Sequence, residues 1–148
     1  MREILFRAKN LYSNEWVDGF LVASKCNTYP DGFEMITYQG INHDELDDYQ
    51  PDFLSFHVDP ETIGQFTEKT VKNGKVFDGD ILKSIDGIFL VRWDEEKSAF
   101  VMRFLEYPFE TLYLEEMWDD AEIIGNIHDN PELLENLKSP LEFWVGMW

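Results

Sequence analysis

Between Gly64 and Trp93 the chain reads GQFTEKTVKNGKVFDGDILKSIDGIFLVRW, a glycine-punctuated run in which short apolar stretches alternate with reversal signals. Such a segment folds as strands joined by tight turns and leaves no room for a long helix. Asn73-Gly74 is the pair best suited to a two-residue type I′ turn, because both residue types accept the positive φ that this turn demands. At Gly79-Asp80 a glycine supplies a bulge or bend before Ile81 and Leu82 resume a strand, and Asp86-Gly87 marks a second turn. Ile88-Phe89-Leu90-Val91-Arg92-Trp93 follows, rich in β-branched and aromatic residues, as expected of a central strand covered on both faces. A charged loop, Asp94-Glu95-Glu96-Lys97-Ser98, leads into a returning strand over residues 99–105. Consecutive strands joined this way form a meander, the unit from which small closed barrels are built.

Upstream, strands are expected over residues 3–7, from Trp16 to Val22 with a bulge at Gly19, over 33–39 and over 53–58. Residues 40–52 turn polar and acidic and end near Pro51, which reads as an exposed excursion. Asp59-Pro60-Glu61 is a helix start with Asp59 as N-cap, limited by Gly64 to about one turn, and this corner marks the domain boundary. Downstream, Pro108 interrupts any strand, and Thr111-Leu112-Tyr113-Leu114 reads as a short strand or the start of a helical turn. Residues 121–128 form a closing strand that bends at Gly125. Asn130-Pro131-Glu132 then opens a helix with Leu133, Leu134 and Leu137 as its apolar stripe and Pro140 at its end.

Several blocks in this order resemble one family: the N-terminal REILFRAKN, Trp16-Val17-Asp18-Gly19, the segment DPETIGQF from Asp59, Asn73-Gly74, Phe77-Asp78-Gly79-Asp80-Ile81, Val91-Arg92-Trp93 and the segment IGNIHDNPEL from Ile124. The chain is similar to the YopX proteins of bacteriophages and prophages from Arg2 to about Leu134. Val76 and Phe77 follow Asn73-Gly74-Lys75 more compactly than in the family pattern, and residues 139–148 lie outside its common region. The resemblance implies a mainly β fold whose C-terminal half is an SH3-like β-barrel; together with the residues themselves this gives an N-terminal β-rich (α+β) domain, residues 1–62, the barrel, residues 63–130, and a short C-terminal helix with an apolar tail, residues 131–148. It also implies a phage or prophage origin and oligomers, and it brings no activity.

The chain has 148 residues. A chain of this size buries roughly 70% of the surface its unfolded form exposes, enough for one core or two small ones. Cys26 is the single cysteine, which excludes an internal disulfide and fits a reducing cytoplasm. The start resembles no signal peptide, and no apolar stretch approaches the ~20 residues of a membrane span, so a soluble cytoplasmic protein of a bacterial host is expected. The net charge of -18 divides into -8 for residues 1–63, -8 for 64–130 and -2 for 131–148. Acidity spread this evenly repels phosphate backbones and anionic membranes, so neither nucleic acid nor membrane is an expected partner. Two denser acidic runs occur, Asp44-Glu45-Leu46-Asp47-Asp48 and residues 115–122, and solvated loops are the simplest account of them.

Reactive constellations are sparse. Of the histidines, His43 lies in the acidic segment, His57 in a strand and His128 beside Asp129. His57 and Asp59 stand at alternate positions, and with His43, Asp44 or Asp47 they sketch a divalent-metal site, but the spacing matches no established ligand pattern. No catalytic, cofactor or metal residue is assigned, and no enzyme is expected. The final LEFWVGMW is too apolar for a free tail, and Phe143, Trp144, Met147 and Trp148 are the kind of residues that fill interface centres. The leading expectation is therefore a non-enzymatic protein-binding module that forms a homo-oligomer and binds an unidentified phage or host protein. An acidic mimic of nucleic acid that blocks a host DNA-binding protein is the alternative, and a metal-dependent hydrolase on His57 and Asp59 stands third.

Overall fold

The computed structural model describes residues 3–24, 32–43, 49–106 and 111–135. The chain divides into two compact units, Met1–Phe66 and Thr67–Trp148, and is mainly β, with two antiparallel sheets. The first unit contains β1 (Phe6–Lys9), β2 (Trp16–Ser24), β3 (Gly32–His43) and β4 (Tyr49–Val58) in the order β4-β3-β2-β1, with the start of β5 (Gly64–Val71) paired to β1. Strand β2 changes partner at Gly19: residues 16–19 pair with β1, and from Phe20 onward it pairs with β3. Only glycine fits that crossing, since a Cβ there would lie 2.2 Å from the Ile36 carbonyl oxygen. Inside the bend Ala8, Met35 and Val58 are buried, with Phe6, Val17, Leu21 and Phe56 packed around them.

Two expectations for this unit are corrected. The first strand is Phe6–Lys9 and not residues 3–7, because the pairing with β2 runs from Phe6 to Lys9, with Phe6 and Ala8 toward the core. Residues 40–52 are not an excursion throughout, since β3 runs on to His43 and β4 begins at Tyr49, paired as far as His43↔Tyr49. Pro51 is compatible with this because β4 is an edge strand, where only alternate N–H groups serve the ladder and a proline is tolerated. Beyond β4 the chain makes the short turn expected of Asp59-Pro60: a 3-10 turn, Pro60–Thr62, in which the Asp59 carboxylate accepts the Glu61 N–H at 3.0 Å.

In the second unit β6 (Gly74–Phe77) follows β5, and a five-stranded sheet of β7 (Asp80–Ser84), β8 (Gly87–Asp94), β9 (Ala99–Phe104), β10 (Thr111–Tyr113) and β11 (Glu122–Asn126) has the order β10-β9-β8-β7-β11. No ladder closes this sheet into a cylinder among the described residues. Strand β8 is covered on both faces: Phe89 and Val91 point into a cluster with Val76, Leu82, Met102 and Phe104, while Leu90 points into another with Ile81, Leu105 and Leu134. Leu134 comes from α1 (Glu132–Glu135), which starts after Pro131. Its expected continuation to Pro140 lies outside the described residues. Residues 111–114 combine both forms anticipated for them, β10 followed by a 3-10 turn, Leu114–Glu116.

The turns differ from the type I′ expectation. Strand β5 ends at Val71 and β6 starts at Gly74, so Lys72 and Asn73 occupy the loop, and of Asn73 and Gly74 only Gly74 has a positive φ, +146°. The next hairpin repeats the pattern, with Ile85 and Asp86 in the loop and Gly87 at +137°. A glycine directly after two turn residues takes the backbone angle that a side chain disfavours.

Candidate functional site

The outer face of the first unit's sheet follows from strand parity. Ala8, Leu21, Met35 and Phe56 point inward, so the residues between them point out. Phe20 pairs with Ile36 and Ile36 with Ser55, while Val22 pairs with Glu34 and Glu34 with His57. An antiparallel sheet with one face on its core normally presents polar residues on the other. Here Phe20 is 57% exposed and Val22 41% exposed, with Ile36 half-buried between the strands.

Polar and aromatic groups surround this apolar centre. His57 Nε2 lies 3.7 Å from Glu34 Oε1, and the exposed Tyr12 meets the imidazole edge-on with ring centroids 6.4 Å apart. On the β1 side the Arg7 guanidinium sits 4.7 Å from the Trp16 ring centroid and the Lys9 ammonium 5.4 Å from it, a paired cation–π contact. An apolar centre within a polar, aromatic and arginine-containing rim is the anatomy of a protein-protein contact surface. Its signal in the sequence is Phe20-Leu21-Val22-Ala23, a strand segment apolar at every position, which leaves one face without a polar covering.

The residues singled out from sequence fall elsewhere. Gly79 is a junction in the second unit: its N–H donates to the Val91 carbonyl at 2.8 Å, and its own carbonyl accepts from the Ile127 N–H at 3.0 Å. Asp80 is fully buried, and its Oδ2 accepts the Phe77 N–H at 2.8 Å. The Asp86 N–H donates to Ser84 Oγ at 3.2 Å, and Asn73 bonds to Ile123. Each of these organises a turn. His57 and Asp59 are not brought to a common point, because His57 faces Glu34 while the Asp59 carboxylate caps the Pro60–Thr62 turn. His128 follows Asn126, whose Oδ1 accepts the N–H groups of both His128 and Asp129. Among the described residues no group of three potential ligands assembles.

Within residues 115–122, Glu116 accepts the Tyr113 N–H at 3.1 Å, Asp120 accepts the Ile85 N–H at 2.8 Å, and Glu122 pairs with Lys72 at 3.3 Å. Phe143, Trp144, Met147 and Trp148 lie outside the described residues, as do Cys26 and the acidic run 44–48. His43 ends β3. No helix among the described residues is long and apolar enough to cross a membrane.

Fold and surface define a mainly β protein of two antiparallel sheets, one of which leaves Phe20 and Val22 exposed on its outer face. The sequence pattern of the YopX protein family matches residues 5–135, most of the chain, and the chain belongs to that family. No curated protein matches it.

Proposed function

We propose that this YopX-family chain is a phage or prophage accessory protein that works in the host cytoplasm as a non-enzymatic protein-binding module and associates with further copies of itself. The exposure of Phe20, on a sheet face that solvent alone would make polar, carries this reading. The apolar C-terminal sequence with Phe143, Trp144, Met147 and Trp148 supplies a second segment of interface composition. We also read the second unit as an SH3-like barrel, so that the chain comprises an N-terminal domain of residues 1–62, the barrel and a C-terminal extension. In support, β11 pairs back onto β7, the first strand of the meander, and a 3-10 turn precedes β11.

Light scattering of the wild type, of Phe20→Asp and of the chain shortened by residues 141–148 tests the function. The wild type is expected at a multiple of 17.5 kDa, and Phe20→Asp at a lower mass with an unchanged circular dichroism spectrum. A wild-type mass of one chain at every concentration contradicts self-association. The shortened chain tells whether the tail contributes to it.

A further inference from the structure

The second unit holds a cleft with a cavity volume of about 300 Å³ between the end of β5 and the segment that follows the Leu114–Glu116 turn. Lys69 lines it from β5 and Lys72 from the loop after β5, while Glu115 lines it from the Leu114–Glu116 turn and Met117, Trp118 and Asp119 from the segment beyond. Trp118 is fixed from behind, with ring centroids 5.8 Å from Phe89 and 5.7 Å from Phe104. It is therefore a rigid part of the wall. Lys72 is held by Glu122 at 3.3 Å. Lys69 has no such hold. It lies two residues before Val71, which packs on the core, so it shares that inward strand face and is half-buried. The chain has 30 acidic residues, yet Lys69 forms no ion pair among the described residues, and neither do Glu115 and Asp119.

We propose that this cleft binds an extended segment of a partner protein that carries a basic and an acidic side chain at neighbouring positions. The basic group meets Glu115 and Asp119, its alkyl stem lies along Trp118 and Met117, and the acidic group meets Lys69. Charges of both signs that have no ion-pair partner among the described residues, Lys69 half-buried and Glu115 and Asp119 exposed, select a ligand with both signs, because a lone anion or cation meets a like charge within the same cleft. The volume lies at the lower end for ligand sites and holds roughly two residues, which favours a short stretch of chain over a folded surface. The proposal rests on the reading of this chain as a protein-binding module, but it uses a different unit from Phe20, so either can fail without the other.

The test is an NMR titration of the full chain, with the Trp118 indole N–H assigned through Trp118→Phe. The probes are acetyl-Ala-Arg-Asp-Ala-amide, its uncharged Gln-Asn analogue, and free arginine with free aspartate. The charged peptide is expected to shift the Trp118 signal and to bind about tenfold more tightly than the uncharged one. Lys69→Met, and the double change of Glu115→Gln with Asp119→Asn, are each expected to weaken it by about tenfold, while the remaining spectrum reports an intact fold. Three results overturn the proposal: no shift at ~10 mM charged peptide, equal binding of the uncharged analogue, or a response to the free amino acids alone. None of them alters the light-scattering outcome for Phe20→Asp.

Discussion

The side-chain amide of Asn73 exchanges two hydrogen bonds with the backbone of Ile123: Nδ2 donates to the Ile123 carbonyl at 2.8 Å, and the Ile123 N–H donates to Oδ1 at 2.9 Å. One side chain thus stands in for a paired strand residue on β11, which ends its sheet. The contact ties the β5–β6 loop to that edge and satisfies two backbone groups that an edge strand leaves open. Asn73→Ala is expected to lower stability by about 2 kcal/mol, since both groups lose their partner. Asn73→Asp, which keeps the acceptor and loses the donor, falls between. Urea unfolding measures both, and faster amide exchange at Ile123 localises the effect.

Glu68 sits within β5 at φ +74°, a left-handed angle that costs a residue with a Cβ about 1–2 kcal/mol. Thr67 holds the backbone on either side: its hydroxyl donates to the Val76 carbonyl at 2.8 Å and accepts the Lys69 N–H at 3.2 Å. Glu68→Gly is expected to be more stable than Glu68→Ala by about 1 kcal/mol, although glycine loses more entropy on folding. Equal stabilities in thermal unfolding contradict a strained position.

The sequence context of Asp80 marks it as a turn residue, and its burial adds an energetic role. Asp80→Ala leaves the Phe77 N–H without its carboxylate acceptor in a site closed to water. A loss of about 2–3 kcal/mol is expected in denaturant unfolding, and Asp80→Asn, which keeps an acceptor oxygen, should lose less.

Salt separates the two binding readings. With a net charge of -18, copies of this chain repel one another, so contact through Phe20 and Val22 is expected to strengthen as salt screens the repulsion. An acidic mimic seated on a basic partner weakens under the same change. Sedimentation at low and high ionic strength checks the first expectation: dissociation on adding salt counts against an apolar contact.

Much of the second unit was legible in its sequence. Glycines and short apolar runs place the strands from Asp80 to Phe104 within a residue or two, and the unbroken apolar run Phe89-Leu90-Val91 anticipates coverage on two faces. Asn73 shows where local reading stops. Its turn-forming character is visible, but its partner lies 50 residues away in a strand whose position depends on the whole sheet. Likewise Pro51 and its acidic neighbours read as a strand breaker until β4 is known to be an edge. The exposed apolar face was hidden for another reason: an all-apolar strand segment looks like a buried one, and only the pairing of Phe20 with Ile36, together with the exposure of Phe20, shows which side faces solvent among the described residues.

Amide hydrogen exchange over a dilution series addresses the self-association claim most directly. If copies meet through the outer face of the first unit, amides around Phe20, Val22 and Ile36 gain protection as concentration rises, and Phe20→Asp abolishes the gain. Protection in β2 and β3 that is the same at every concentration would contradict the account.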